Sequence, residues 1–132
     1  MNRVLLVAFH FPPMSGSSGV HRTLKFASYL LEYGWEAAVL TANPRVHPNV
    51  SEDRLAEIPD ALQVFRSFAL DAAKDLSIFG RYPRFLSLPD RWMSWRYFAI
   101  PAGRRIIRRF KPDVIWSTHP IASAHQIAMF LA

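Results

Sequence analysis

The apolar positions of this chain fall into two kinds of run. "RVLLVAF", Arg3 to Phe9, is apolar almost without interruption, the pattern of a strand buried on both faces. In "GVHRTLKFASYLLEYG" the period changes. Val20, Leu24, Ala27 and Leu31 recur at i, i+4, i+7 and i+11, one face of a helix. Ser17 or Ser18 supplies an N-cap, and Gly34 stands where a C′ glycine ends a helix. "WEAAVLTA", Trp35 to Ala42, returns to a continuous apolar run and is stopped by Asn43-Pro44. Strand, helix and strand in this order form a β-α-β unit, which favours a parallel sheet.

Further along, "NPRVHPNVSEDRLAEIPD" is a polar loop with one helical turn near Glu52 to Ile58, and "LQVFRSF" is a third strand. Residues 69 to about 92 carry Gly80, Pro83 and Pro89 among aromatics, which predicts irregular structure with short helices. "SWRYFAIPAGRRIIRRF" reads as a helix with Pro101 either in its first turn or kinking it. "PDVIWST" reads as a fourth buried strand, and "IASAHQIAMFLA" opens another helix. The expected fold class is α/β: a Rossmann-like, three-layer α/β/α domain over residues 1–132. Its parallel strands are 3–9, 36–41, 62–67 and 113–117, in the order 3-2-1-4. The sequence stops at Ala132 inside an apolar helix, without Gly, Asn or Pro, which suggests a truncated chain.

Composition narrows the classes. Half of the residues are hydrophobic (51%), enough for a core and too many for a disordered chain. Cysteine is absent, so disulfides and thiolate metal sites are excluded. No apolar run reaches the roughly 18 residues of a membrane span, and "VLLVAF" is too short for the core of a signal peptide. The net charge of +6 is regional. Residues 81–111 hold Arg81, Arg84, Arg91, Arg96, Arg104, Arg105, Arg108, Arg109 and Lys111 against the single acid Asp90. Such an excess fits nucleic acid, an anionic membrane surface or phosphorylated small molecules.

Three features carry candidate chemistry. The first is "HFPPMSGSSGVHR", His10 to Arg22, longer than the about 2–6 residues that join a strand to a helix. It lies at the carboxyl edge of the first strand and leads into a helix N-terminus, whose exposed N–H groups attract anions. Gly16, Ser17, Ser18 and Gly19 are candidates to contact a phosphate, with Arg22 one turn into the helix; an ordinary serine-capped loop is the alternative. Neither the G-x-G-x-x-G dinucleotide fingerprint nor the G-K-[ST] of a P-loop is present, which disfavours a nucleotide-dependent oxidoreductase. The second feature is His119 in "DVIWSTHP", at the carboxyl edge of the fourth strand; with strands one and four adjacent it faces the glycine loop. A helix-capping role is its alternative. His10, His21, His47 and His125 have weaker claims, and no spacing suggests a metal site. The third feature is the helix near Trp95 to Phe110. Trp95, Ala99, Ala102, Ile106 and Phe110 share one face, with Arg104, Arg105, Arg108 and Arg109 opposite. Those arginines form either a solvated face or a contact with anionic lipid head groups.

Together, "RVLLVAFHFPPMSGSSGVHRTLKFASYLLEYGWEAAVLTANP" and "KPDVIWSTHPIASAHQIAMFLA" resemble the N-terminal half of a GT-B glycosyltransferase of family 4. The likeness covers both ends of the chain, around a middle that is variable in that family. It implies a retaining hexosyltransferase that moves a sugar from a nucleotide sugar to an envelope or exopolysaccharide acceptor. In that reading His119 is catalytic, the glycine loop meets the donor diphosphate, and no metal or other cofactor is required. "SSG" stands where many members have "GG". The family's nucleotide-binding half, with its paired glutamates, falls outside the chain, so these residues alone are expected to be inactive and prone to self-association. The implied location is cytoplasmic, peripheral at the inner face of the cell membrane, and nucleic acid is not an expected partner. A non-catalytic anion- or nucleic-acid-binding α/β module is the alternative. If the resemblance holds, Gly19→Val abolishes transfer with the fold intact.

Overall fold

A computed structural model describes residues 2–14, 18–44, 50–69, 94–118 and 121–132. Four strands, β1 (Arg3–Val7), β2 (Glu36–Ala42), β3 (Gln63–Ser67) and β4 (Val114–Ser117), form one sheet. Every pairing is parallel and the order is β3-β2-β1-β4. The α-helices among the described residues are α1 (Ser18–Glu32), α2 (Trp95–Phe110) and α3 (Ala122–Leu131). A short 3-10 helix, Glu52–Glu57, takes the place of the single helical turn expected between β2 and β3.

Alternation along β1 and β2 builds two cores from two continuous apolar runs. Val4, Leu6, Ala37 and Val39 turn to one face and pack with Leu24 and Ala27 of α1. Leu5, Val7, Ala38 and Leu40 turn to the other and pack with α2 and α3 through Trp95, Ala99, Ile106, Ala124 and Ile127. The result is the three-layer α/β/α arrangement of a Rossmann-like sheet. Both central strands are buried on both faces because helices cover both faces.

The outer strands differ. β4 does not match its expected burial: Val114 is exposed, and Ile115, Trp116 and Ser117 are half-buried. Among the described residues it pairs with β1 alone, so one edge has no neighbour. Phe26 of α1 covers part of the deficit by stacking on Trp116, with ring centres 4.7 Å apart.

Helix ends follow local chemistry. Past α1 the N–H of Gly34 bonds to the Leu31 carbonyl and that of Trp35 to the Leu30 carbonyl. This Schellman pair needs a left-handed residue at Gly34, whose φ is +85°. The predicted apolar face of α2 is buried at Trp95, Ala99, Ile106 and Phe110, but Gly103 takes the buried place expected for Ala102, which is half-buried. Pro101 lies inside this helix, as its seventh residue, rather than in its first turn. It is exposed, as is Tyr97 one turn before, so the hydrogen bond that proline removes falls on the outer side. The irregular segment expected over 69–92 lies, beyond Ala69, outside the described residues.

Candidate functional site

At the carboxyl end of the sheet the chain leaves β1 without leaving the core. Ala8 extends the ladder by bonding to the Leu40 carbonyl, and Phe9 is buried with its ring edge-on to Trp95, 5.5 Å between centres. The Trp95 indole N–H donates to Ser67 Oγ at 2.8 Å, which joins the start of α2 to the end of β3. The Thr41 hydroxyl donates to the Phe9 carbonyl.

The following turn is held at each step. Met14 N–H bonds to the Phe11 carbonyl, Ser51 N–H to the Pro13 carbonyl, and Arg66 donates to the Pro12 carbonyl at 2.6 Å. Met14 also bridges to Val50. This anchored turn leads toward α1. Burial lowers the pKa of Arg66, the direction expected for a cation drawn out of water.

Gly16 and Ser17 lie outside the described residues, and Ser18 opens α1. Gly19 has a neighbour that the sequence did not announce. A Cβ built there would stand 2.8 Å from His10 Nδ1 and 3.3 Å from His10 Cβ. The imidazole is almost fully buried, with little room to move aside. The expectation that Gly19→Val leaves the fold intact is therefore corrected: the glycine admits the His10 ring beneath the first turn of α1.

His10 thus becomes a member of the site, where the sequence ranked it below His119. Burial, and secondly the charge of Arg22, hold its pKa below the ordinary value of 6.5. It is neutral at pH 7, one ring nitrogen donating and the other accepting. Arg22 reaches in the other direction and donates to the Thr118 hydroxyl at 3.0 Å, across 96 positions of sequence. That bond joins the helix after β1 to the end of β4, neighbours in the sheet. His119 lies outside the described residues; Thr118, the residue before it, is here. One turn into α3, His125 Nδ1 lies 2.6 Å from Ser117 Oγ.

The carboxyl end therefore gathers a helix N-terminus, a neutral imidazole, a guanidinium and a hydroxyl. Donors and positive potential of this kind suit an oxyanion. Among the described residues no group of three or more His, Cys, Asp or Glu side chains could hold a metal. Arg66 had a faint signal in the sequence, the only charge in its strand. His10 was ranked low and Thr118 was not singled out, because their roles come from helix approach and strand adjacency.

At the amino end Arg3 is enclosed. Its N–H bonds to Asp113 Oδ2 at 2.9 Å, its Nε to Glu36 Oε2 at 2.8 Å, and its Nη1 to the Phe110 carbonyl at 3.0 Å. Beside it a groove of about 820 Å³ runs between α2 and β3, with Phe65, Ala102, Ile106, Arg105 and Arg109 in its walls. Arg104, Arg105, Arg108 and Arg109 are all exposed, and Arg104 and Arg108 are not part of that lining. No helix of the described residues is long and apolar enough to cross a membrane. No protein-family model matches the chain, and no curated protein is similar enough to it to count as a match.

Proposed function

We propose that this chain is the acceptor-side half of a retaining GT-B glycosyltransferase of family 4, acting on an envelope or exopolysaccharide acceptor at the cytoplasmic face of a membrane. The observation that carries the reading is the Arg22–Thr118 bond, which ties the start of the helix after β1 to the residue that follows β4. In a parallel sheet, ligands bind at this carboxyl edge, between loops of adjacent strands.

In this reading the donor diphosphate lies against Gly16, Ser17, Ser18 and Gly19, where the N–H groups of the α1 terminus offset its charge. Arg22 adds a cationic donor, and its bond to Thr118 fixes the separation of the two loops. His10 supports the helix from below in neutral form. His119 hydrogen-bonds the reacting sugar, and that bond contributes most where charge develops in the transition state. A second nucleotide-binding half supplies the rest of the donor site, and the chemistry needs no metal.

The test is sugar transfer by the complete two-domain protein and its His119→Ala and Arg22→Gln variants. Losses of about 100-fold or more for His119→Ala and about tenfold for Arg22→Gln are expected, with unchanged melting. Wild-type rates in both variants would remove the carboxyl edge as the reacting site.

A further inference from the structure

The four arginines of α2 lie on two stripes. Phe98, Ala102, Arg105 and Arg109 follow one another at i, i+4, i+7 and i+11, and so do Tyr97, Pro101, Arg104 and Arg108 one position behind. The first stripe borders β3. Phe98 meets Phe68 edge-on, 4.9 Å between ring centres, and both rings are partly exposed. Ala102, Arg105 and Arg109 then line the groove, whose opposite wall includes Gln63 and Phe65 of β3. The second stripe contributes nothing to that lining.

The groove joins two chemistries. Phe65, Ala102 and Ile106 give it an apolar wall, and Phe65 is 37% exposed. Arg105 and Arg109 give it a cationic rim, and neither has an ion-pair partner among the described residues. Arg3 stands at one end with its guanidinium already bonded to Glu36 and to the Phe110 carbonyl, so it acts as wall. The volume of about 820 Å³ is far beyond one phosphate and falls in the range of sites for drug-sized molecules. Among the described residues nothing pairs with the outer edge of β3.

We infer that this groove seats one anionic phospholipid of a bilayer, its phosphate between Arg105 and Arg109 and the start of its acyl chains against Phe65 and Ile106. The inference rests on the membrane part of the proposed function and adds a defined lipid seat to it. Charge complementarity selects the head group, and the apolar wall selects an amphiphile over a free phosphate. The exposed aromatics Phe68 and Phe98 on the same seam suit the interfacial zone, where aromatic rings rest. A nucleic acid would use both arginine stripes alike, since a phosphate backbone follows positive charge without needing an apolar wall.

Sedimentation of the chain with phosphatidylcholine vesicles, with and without phosphatidylglycerol, tests this. Binding is expected only to the mixed vesicles. Arg105→Gln with Arg109→Gln should weaken it about tenfold or more, and Arg104→Gln with Arg108→Gln by at most about threefold. The wall already holds Glu36, whose carboxylate is paired with Arg3; Gln63→Glu, which adds a second, unpaired acid and keeps all four arginines, should weaken it severalfold. Equal losses for the two arginine pairs would overturn the lipid seat and leave a diffuse membrane contact standing. Failure of the wild type to bind mixed vesicles would remove both readings. Displacement from vesicles by millimolar glycerol phosphate would show a soluble-phosphate site and overturn the lipid assignment. Circular dichroism of each variant confirms the fold, and all the substituted side chains are exposed.

Discussion

The two ends of the sheet use arginine in opposite ways. At the amino end the Arg3 guanidinium binds the Glu36 carboxylate and a helix-terminal carbonyl, its backbone N–H bonds to Asp113, and the strand partner of Arg3 is Glu36 itself. Each bond returns to the chain, so the cluster fixes the starts of β1, β2 and β4 relative to the end of α2. At the carboxyl end Arg22 bonds a hydroxyl and stands near an imidazole whose protonation it opposes. A carboxylate partner offsets an arginine's charge, whereas a hydroxyl partner orients it. The amino end is thus built for cohesion, and the proposed function puts the incoming anion at the carboxyl end.

The sharpest way to break this contrast is at Gly19. Gly19→Ala should destabilise the fold by about 1–3 kcal/mol, because the new methyl meets a buried ring. In a His10→Ala background the same change should cost less than about 1 kcal/mol, read from urea unfolding as a double-mutant cycle. A cost that stays the same in both backgrounds would show that His10 is not what the glycine accommodates. Transfer by the double variant of the complete protein then isolates any diphosphate role for Gly19.

A smaller effect is expected at the amino end. Arg3→Ala should lower stability by about 1–2 kcal/mol. The half-exposed pair with Glu36 contributes at most about 1 kcal/mol, and the bond to the Phe110 carbonyl a similar amount. Transfer by the complete protein should be unchanged. A loss of transfer without a loss of stability would contradict a purely cohesive role for this end.

The smallest effect is a pH slope. His10 titrates below 6.5 in the folded chain and near 6.5 when unfolded, so the unfolded state binds the proton more readily. Its contribution is complete above the unfolded value and is lost as pH falls from there through the folded value. Urea midpoints should therefore decline more steeply between pH 7 and pH 5 for wild type than for His10→Gln. Parallel slopes would mean that the ring is solvated and plays no part under α1.

Much of the fold was legible because β1 and β2 are short and continuously apolar and the helix between them is amphipathic. The parallel pairing followed from β-α-β logic, the 3-2-1-4 order from the Rossmann-like expectation, and the Gly34 stop from one residue's tolerance of positive φ. The misread burial of β4 has a different source. "VIW" is as apolar as a central strand, and only the pairing shows that it lies at an edge among the described residues. The site was half legible. Arg22 was picked out as an anion partner, but its bond to Thr118 spans 96 positions, and no local pattern encodes a contact of that range.

The sequence by itself determined the layers, since the period of apolar residues decides which face of each element must leave water. It also determined where α1 stops and that the positive charge gathers around α2. Tertiary structure alone decided which arginines face a groove, which glycine makes room for a histidine, and which histidine is held neutral. Those outcomes depend on how closely separate elements approach. Burial and charge–charge energies change over a few ångströms, a scale fixed by packing rather than by the order of residues along the chain.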